Sequence, residues 1–157
     1  MKKFDEILHA GLLWACGILM FGMMSVIFAQ VVARYVMHQS LSWSEEVGRY
    51  IFVWISFLGL AAAFKSGSHV ALDLLTKSLK RTPRRVLEFV NGALVVVLAS
   101  ALLISGIRLL EFGMRQRSSA LDIPMALVYI VEPISGLILL YFSLRALWLS
   151  AAAKQEG

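Results

Sequence analysis

The chain has 157 residues, 59% of them hydrophobic and 16% charged, with a mean hydropathy of +0.77 and a formal net charge of +5. A soluble domain averages about 45–50% apolar and about 25% charged, so this balance excludes an ordinary soluble fold, and the lone cysteine, Cys16, excludes an internal disulfide. The length allows one unit, a single membrane domain over 1–157, and the basic residues lie between apolar runs, so the positive charge reads as membrane topology and not as nucleic-acid binding.

A helix crosses about 30 Å of hydrocarbon with about 20 residues. The first apolar run, Ala10 to Ala33, carries no charge and has Gln30 as its one strongly polar side chain. Lys2 and Lys3 precede it as they would in a signal peptide, but the run is longer than an h-region and lacks a small-residue cleavage site. It is predicted to span over 10–33, with Cys16 as a small packing residue. After it, Ser42 with Glu45 three residues on fits a capping box, and acidic Glu45 and Glu46 suit a helix N-terminus. The second span is predicted over 44–64, starting near Ser42. Trp43 and Tyr50 would sit at the interface, and Glu45 and Arg49, four apart, can pair on one face.

Next, 69–80 places His69, Asp73, Thr76, Lys77 and Lys80 on one helical face and Ala71, Leu72, Leu75 and Leu79 on the other. That pattern predicts a short amphipathic helix in the membrane interface, although a turn packed on the bundle would show it too. Thr82 and Pro83 read as N-cap and first residue of the third span, predicted over 83–108, with Arg84 and Arg85 retained at the same interface. The connection from Arg108 to Asp122 reads as solvated. The fourth span, over 123–146, is interrupted by Glu132 and Pro133.

Ten of the fifteen Lys and Arg residues fall on the side of the termini and of 69–85, and five (Arg34, Arg49, Arg108, Arg115 and Arg117) on the other. Both termini are therefore expected in the cytoplasm. The fold class is all-α integral membrane, with four spans and an interfacial helix between the second and third. Small residues recur every fourth place at Ser25, Ala29 and Ala33 and at Gly59 and Ala63, and Ala93, Ala101 and Ser105 lie on one stripe, which predicts helix contacts there.

Chemistry-bearing residues are few. His9, His38 and His69 all lie at span ends or in connections, a poor arrangement for haem ligation, and no spacing suggests a metal site or a catalytic group. Glu132 is the exception. It lies nine residues past Ile123, about 13 Å inward by helix rise. An acid at that depth is a functional candidate, or is paired with Arg34, Arg49 or Arg108, or is protonated. Pro133 frees a carbonyl one turn earlier and can bend the helix. Four spans without broken-helix repeats do not make a transporter alone. That leaves an accessory subunit, with a redox-complex membrane anchor and a homo-oligomeric small exporter as alternatives.

Arg34-Tyr35, then Trp43-Ser44-Glu45-Glu46-Val47-Gly48-Arg49-Tyr50, Trp54, Gly59, His69 and Asp73, and later Leu121-Asp122-Ile123-Pro124-Met125 with Tyr129 before Pro133, give the chain a family likeness. It resembles the small (Q-type, DctQ-like) membrane subunit of tripartite ATP-independent periplasmic (TRAP) transporters over nearly its whole length. Glu132 departs from that pattern, where an apolar residue usually precedes the proline. The resemblance implies a subunit of the bacterial inner membrane within a three-part, sodium-driven uptake system for an organic acid, serving without catalysis as a scaffold for the large transport subunit and as part of the docking surface for the binding protein. Its partners would be a large multi-spanning permease subunit, which would bind sodium and substrate, a periplasmic substrate-binding protein, and the bilayer. This chain would hold no cofactor. Arg34, Tyr35, Trp43, Glu45, Glu46 and Arg49 would serve assembly or docking, and His69, Asp73, Lys77, Lys80, Arg84 and Arg85 anchoring at a fixed depth.

Overall fold

A computed structural model describes residues 2–39, 41–66 and 81–152, with side chains for all of these except 2, 81–89 and 149–152. The interfacial helix expected over 69–80, with His69, Asp73, Lys77 and Lys80, lies outside the described residues, as do the side chains of Arg84 and Arg85. The described helices are α1 (Lys2–Tyr35), α2 (Ser42–Lys65), α3 (Arg81–Gly113), the single turn α4 (Ala126–Tyr129) and α5 (Val131–Ala152). Four stretches are long and apolar enough to cross a membrane: Lys3–Tyr35, Ser42–Lys65, Val90–Gly113 and Ala126–Trp148.

Three boundaries differ from expectation. Ser42 is the first helical residue of α2, and Leu41 takes the N-cap position without a side-chain cap bond. The capping box does not form because Glu45 turns to α1 instead, where its Oε1 accepts from Gln30 Nε2 at 3.1 Å. Thr82 and Pro83 already lie inside the first turn of α3, where a proline costs no helical hydrogen bond. The fourth span opens at Ala126 and not at Ile123, because Ile123 and Pro124 belong to the preceding loop. Pro133 has no N–H to donate one turn back, and the helix is interrupted at Ile130 between α4 and α5.

The helices stand in a row. α1 packs on α2, α2 on α5, and α5 on α3. The core of buried residues lies along the first part of that row: Leu12 of α1, Leu58, Ala61 and Ala62 of α2, and Val131 and Phe142 of α5. Cys16 packs at its edge.

The α3–α5 seam is built on a different stripe from the expected one. Gly92, Ala99, Gly106 and Gly113 are all buried and recur every seventh residue. A Cβ on Gly106 would stand 2.6 Å from Pro133 Cδ and 2.7 Å from its backbone nitrogen, and one on Gly136 would stand 2.9 Å from the backbone nitrogen of Leu103. The two backbones therefore approach through glycine on both sides. Ala101 and Ser105 are exposed and Ala93 half-buried, because a step of one or two residues turns a helical side chain off the seam. Ser25, Ala29 and Ala63 are likewise exposed, and a Cβ on Gly59 would meet nothing within 4 Å.

At the end of the row where α1 begins, Asp5 is buried and forms an ion pair with Arg145 of α5, and it accepts from Tyr141 Oη at 2.9 Å. His9 Nε2 and Ser66 Oγ lie 2.8 Å apart at the same end. These contacts fasten α1 to the far side of α2. Removing one partner of a buried pair strands the other charge and costs roughly 3 kcal/mol. Asp5→Asn should lower the unfolding stability of the purified chain by about that amount, read as its thermal midpoint in detergent. Asp5→Leu combined with Arg145→Leu should recover most of the loss, and an unmoved midpoint in Asp5→Asn would show that the pair does not hold α1.

Candidate functional site

The opposite end of the row carries the connections 36–41 and 114–125, and here the polar residues of α2 divide between two tasks. Successive helical residues point about 100° apart, so Glu45 faces α1 while Glu46, Tyr50 and Val53 line the side facing the 114–125 loop. Glu46 is only 8% exposed. Its Oε1 accepts from the backbone amide of Ser119 at 3.1 Å and from Tyr50 Oη at 2.5 Å, and its Oε2 accepts from the amides of Ala120 and Leu121 at 2.9 and 3.0 Å. Three consecutive amides converge on one carboxylate, an anion nest whose anion is part of the chain. Four donors fill the acceptor capacity of the carboxylate, and charge-assisted bonds of this kind are the strong ones.

The loop that Glu46 grips has its own order. Ser118 N donates to Ile123 O at 2.9 Å, Met125 N to Gln116 O at 3.0 Å, and Ile123 N to Ser118 Oγ at 3.3 Å. Asp122 takes a left-handed backbone (φ 52), which aspartate tolerates better than most residues. Arg117 reaches both the carbonyl and the carboxylate of Asp122, at 3.0 and 3.2 Å. Tyr50 Oη also lies 3.3 Å from Met125 Sδ, which ties the loop's last residues to α2.

Between loop and helix lies a cleft of about 490 Å³, lined by Glu46, Arg49, Tyr50, Arg117, Met125 and Tyr129 among others. Glu46 is saturated, so it has no free lone pair for proton transfer or for a mobile cation. Among the described residues no cluster of three His, Cys, Asp or Glu is placed to hold a metal ion. What the cleft presents is two guanidinium groups on a braced rim, the chemistry of recognising carboxylates.

The structure brings together some of the residues singled out by sequence and separates others. Glu46 accepts from the amide of Leu121, 75 residues away in the chain, and Arg49 lines the same cleft as Met125. Glu45 bonds Gln30 and not the expected Arg49, and so joins α1 to α2. Arg34 and Tyr35 are exposed at the end of α1, and Trp43 is 42% exposed on the first turn of α2; none of the three lines the cleft. Glu132 lies six residues past Ala126, about 9 Å into the span and not 13. It accepts from Ser105 Oγ of α3 at 2.7 Å in place of the expected arginine. Sequence reading missed the amides of 119–121 because a backbone donor has no residue signature. It missed Asp5 with Arg145 because the pair spans 140 positions. It also missed the small-residue seam of α3, whose signal in the sequence is the seven-residue recurrence of Gly92, Ala99, Gly106 and Gly113.

The family model described as tripartite ATP-independent periplasmic transporters, DctQ component, matches residues 23–153. The chain is 23% identical over 138 residues to a putative TRAP transporter small permease protein of Haemophilus influenzae, covering 88% of this chain and 86% of the relative. It is 33% identical over 78 residues to the sialic acid TRAP transporter permease protein SiaT of Haemophilus influenzae, covering 50% of this chain and 12% of the relative. It is 29% identical over 125 residues to the isethionate TRAP transporter permease protein DctMQ of Oleidesulfovibrio alaskensis, covering 73% and 20%. In the last two, the similar region is a small part of a much longer chain.

Proposed function

The chain belongs to the DctQ component family of tripartite ATP-independent periplasmic transporters, and from that premise we propose that it is the fixed scaffold of a three-part, sodium-driven uptake system for an organic acid. It is a small permease subunit, a multi-pass inner-membrane protein and not an enzyme. In this reading the termini face the cytoplasm, as the excess of Lys and Arg on their side supports. The loop end of the row then faces the periplasm and receives the substrate-binding protein. The segment 69–80, with His69, Asp73, Lys77 and Lys80, and then Arg84 and Arg85, sets the depth of the scaffold in the inner leaflet.

Sodium and substrate bind the large permease subunit, and this chain carries neither. The names of two relatives, for sialic acid and for isethionate, support an acidic cargo. The observation that carries the docking role is the grip of Glu46 on the 119–121 amides, which holds Arg49 and Arg117 at a braced cleft. Such a rim suits carboxylates on an approaching protein and speeds encounter through its field.

Arg49→Glu with Arg117→Glu tests this. Sodium-driven uptake by proteoliposomes holding the large subunit should fall roughly ten-fold at limiting binding protein and recover in part at excess. The large subunit should still co-purify. The exposed Arg117–Asp122 pair lost in this variant contributes at most about 1 kcal/mol. Unchanged uptake at limiting binding protein would remove the docking role.

A further inference from the structure

The row of helices leaves two broad apolar surfaces that differ in one respect. On α1, Ile7, Trp14, Phe21, Phe28 and Tyr35 recur every seventh residue and each is more than 70% exposed. Nothing on that stripe asks for a protein neighbour, because lipid tails are as apolar as these side chains. The α3–α5 surface is different. Leu94, Val97 and Ile104 are exposed there, and so are Ala101 and Ser105. Beside them Glu132 is only half-buried, with Ser105 Oγ as its one described hydrogen-bond donor.

A carboxylate about 9 Å inside a span, open to one side and held by a single neutral hydroxyl, is not satisfied by lipid. Its Oε2 has no described donor, and no described basic side chain forms an ion pair with it. Arg108 stands on the same face, one turn from Ser105 toward the loop end, and is exposed. Its long side chain can reach the interface with its charge in water. The surface therefore carries an acid without a described countercharge at membrane depth, where lipid is a poor cover.

The geometry points to the α3–α5 surface around Ser105 and Glu132 as the seat of the large permease subunit, through a transmembrane helix of that subunit that brings a basic side chain to Glu132. This rests on the three-part reading above and adds to it the face, the depth and the charge of the contact. The α1 stripe carries no charged side chain, and its polar atoms, on Trp14 and Tyr35, lie toward the two ends of the span where the interface can meet them, so it faces lipid.

The experiment uses the chain co-expressed with its large subunit, tagged on the small one. Glu132→Gln and Glu132→Leu should each weaken capture of the large subunit about thirty-fold or more, the step expected when one partner of a desolvated charge pair is removed. The same variants purified alone should keep the wild-type thermal midpoint, since Glu132→Gln can still accept from Ser105 and Glu132→Leu loses only that one hydrogen bond. A photo-crosslinking side chain at Ala101 should join the large subunit, and one at Trp14 should not. Wild-type capture in Glu132→Gln, a lowered midpoint of the variant alone with capture intact (the sign of an internal pair with Arg108), or crosslinking from Trp14 and not from Ala101 would each overturn the assignment. If the wild-type chain captures no large subunit, the three-part reading itself fails, and the inference with it.

Discussion

Glu46→Gln should free the 114–125 loop while leaving the helices packed. The substitution keeps the size of the side chain, but places an amide donor where two of the backbone N–H groups or the Tyr50 hydroxyl now donate. Donors would then face donors, and the loop must pull away to let water in. A buried donor left unmet costs more than the net gain of making the bond. Amide exchange at Ser119, Ala120 and Leu121 should accelerate on the order of a hundred-fold, with exchange in the α3–α5 seam unchanged. Uptake at limiting binding protein should fall with it. Glu45→Gln is the matched control, since its loss affects one exposed bond to Gln30. Equal exchange rates in wild type and Glu46→Gln would mean that the loop holds its shape without the carboxylate.

A large stability effect is also expected at Gly106. An alanine there puts Cβ 2.6 Å from Pro133 Cδ and 2.7 Å from the Pro133 nitrogen. Neither atom belongs to a side chain that can swing aside: the ring is closed onto its own backbone. The helices must separate at their closest point, and overpacking of this kind costs about 1–3 kcal/mol or more. Gly106→Leu should yield little monodisperse protein in detergent. Gly92→Ala is a milder case because its clash is with the flexible Leu147 side chain. Gly59→Ala meets nothing within 4 Å and should stabilise α2 by up to about 1 kcal/mol through helix propensity. A thermal midpoint in Gly106→Ala no lower than in Gly59→Ala would show that the α3–α5 seam yields more readily than its backbone contacts imply.

The four membrane crossings were legible in the sequence because hydrocarbon thickness imposes a length that chance rarely meets. The start of the last crossing was not, since Ile123, Pro124 and Met125 are apolar yet serve the loop. Small residues were noticed at spacings of four, whereas α3 uses spacings of seven at Gly92, Ala99, Gly106 and Gly113. Both repeats return to nearly the same face of a helix, and only the partner's approach decides between them. At the candidate site, the resemblance marked Glu46 and the Leu121–Met125 segment separately. That one grips the edge of the other is a tertiary fact with no local trace. Glu45 and Glu46 both read as acids of a helix's first turn, and a single 100° step sends one to α1 and the other under the loop.

The carboxylate of Glu46 accepts from the main-chain amides of Ser119, Ala120 and Leu121 and not from their side chains. The height and outline of the rim are thus decoupled from the identity of the residues that decorate it. Ser119 and Ala120, both turned to solvent, can be exchanged for other residues without moving the fixture on which they are mounted. Subunits built this way can keep a common socket and refit its outer surface to suit different soluble proteins.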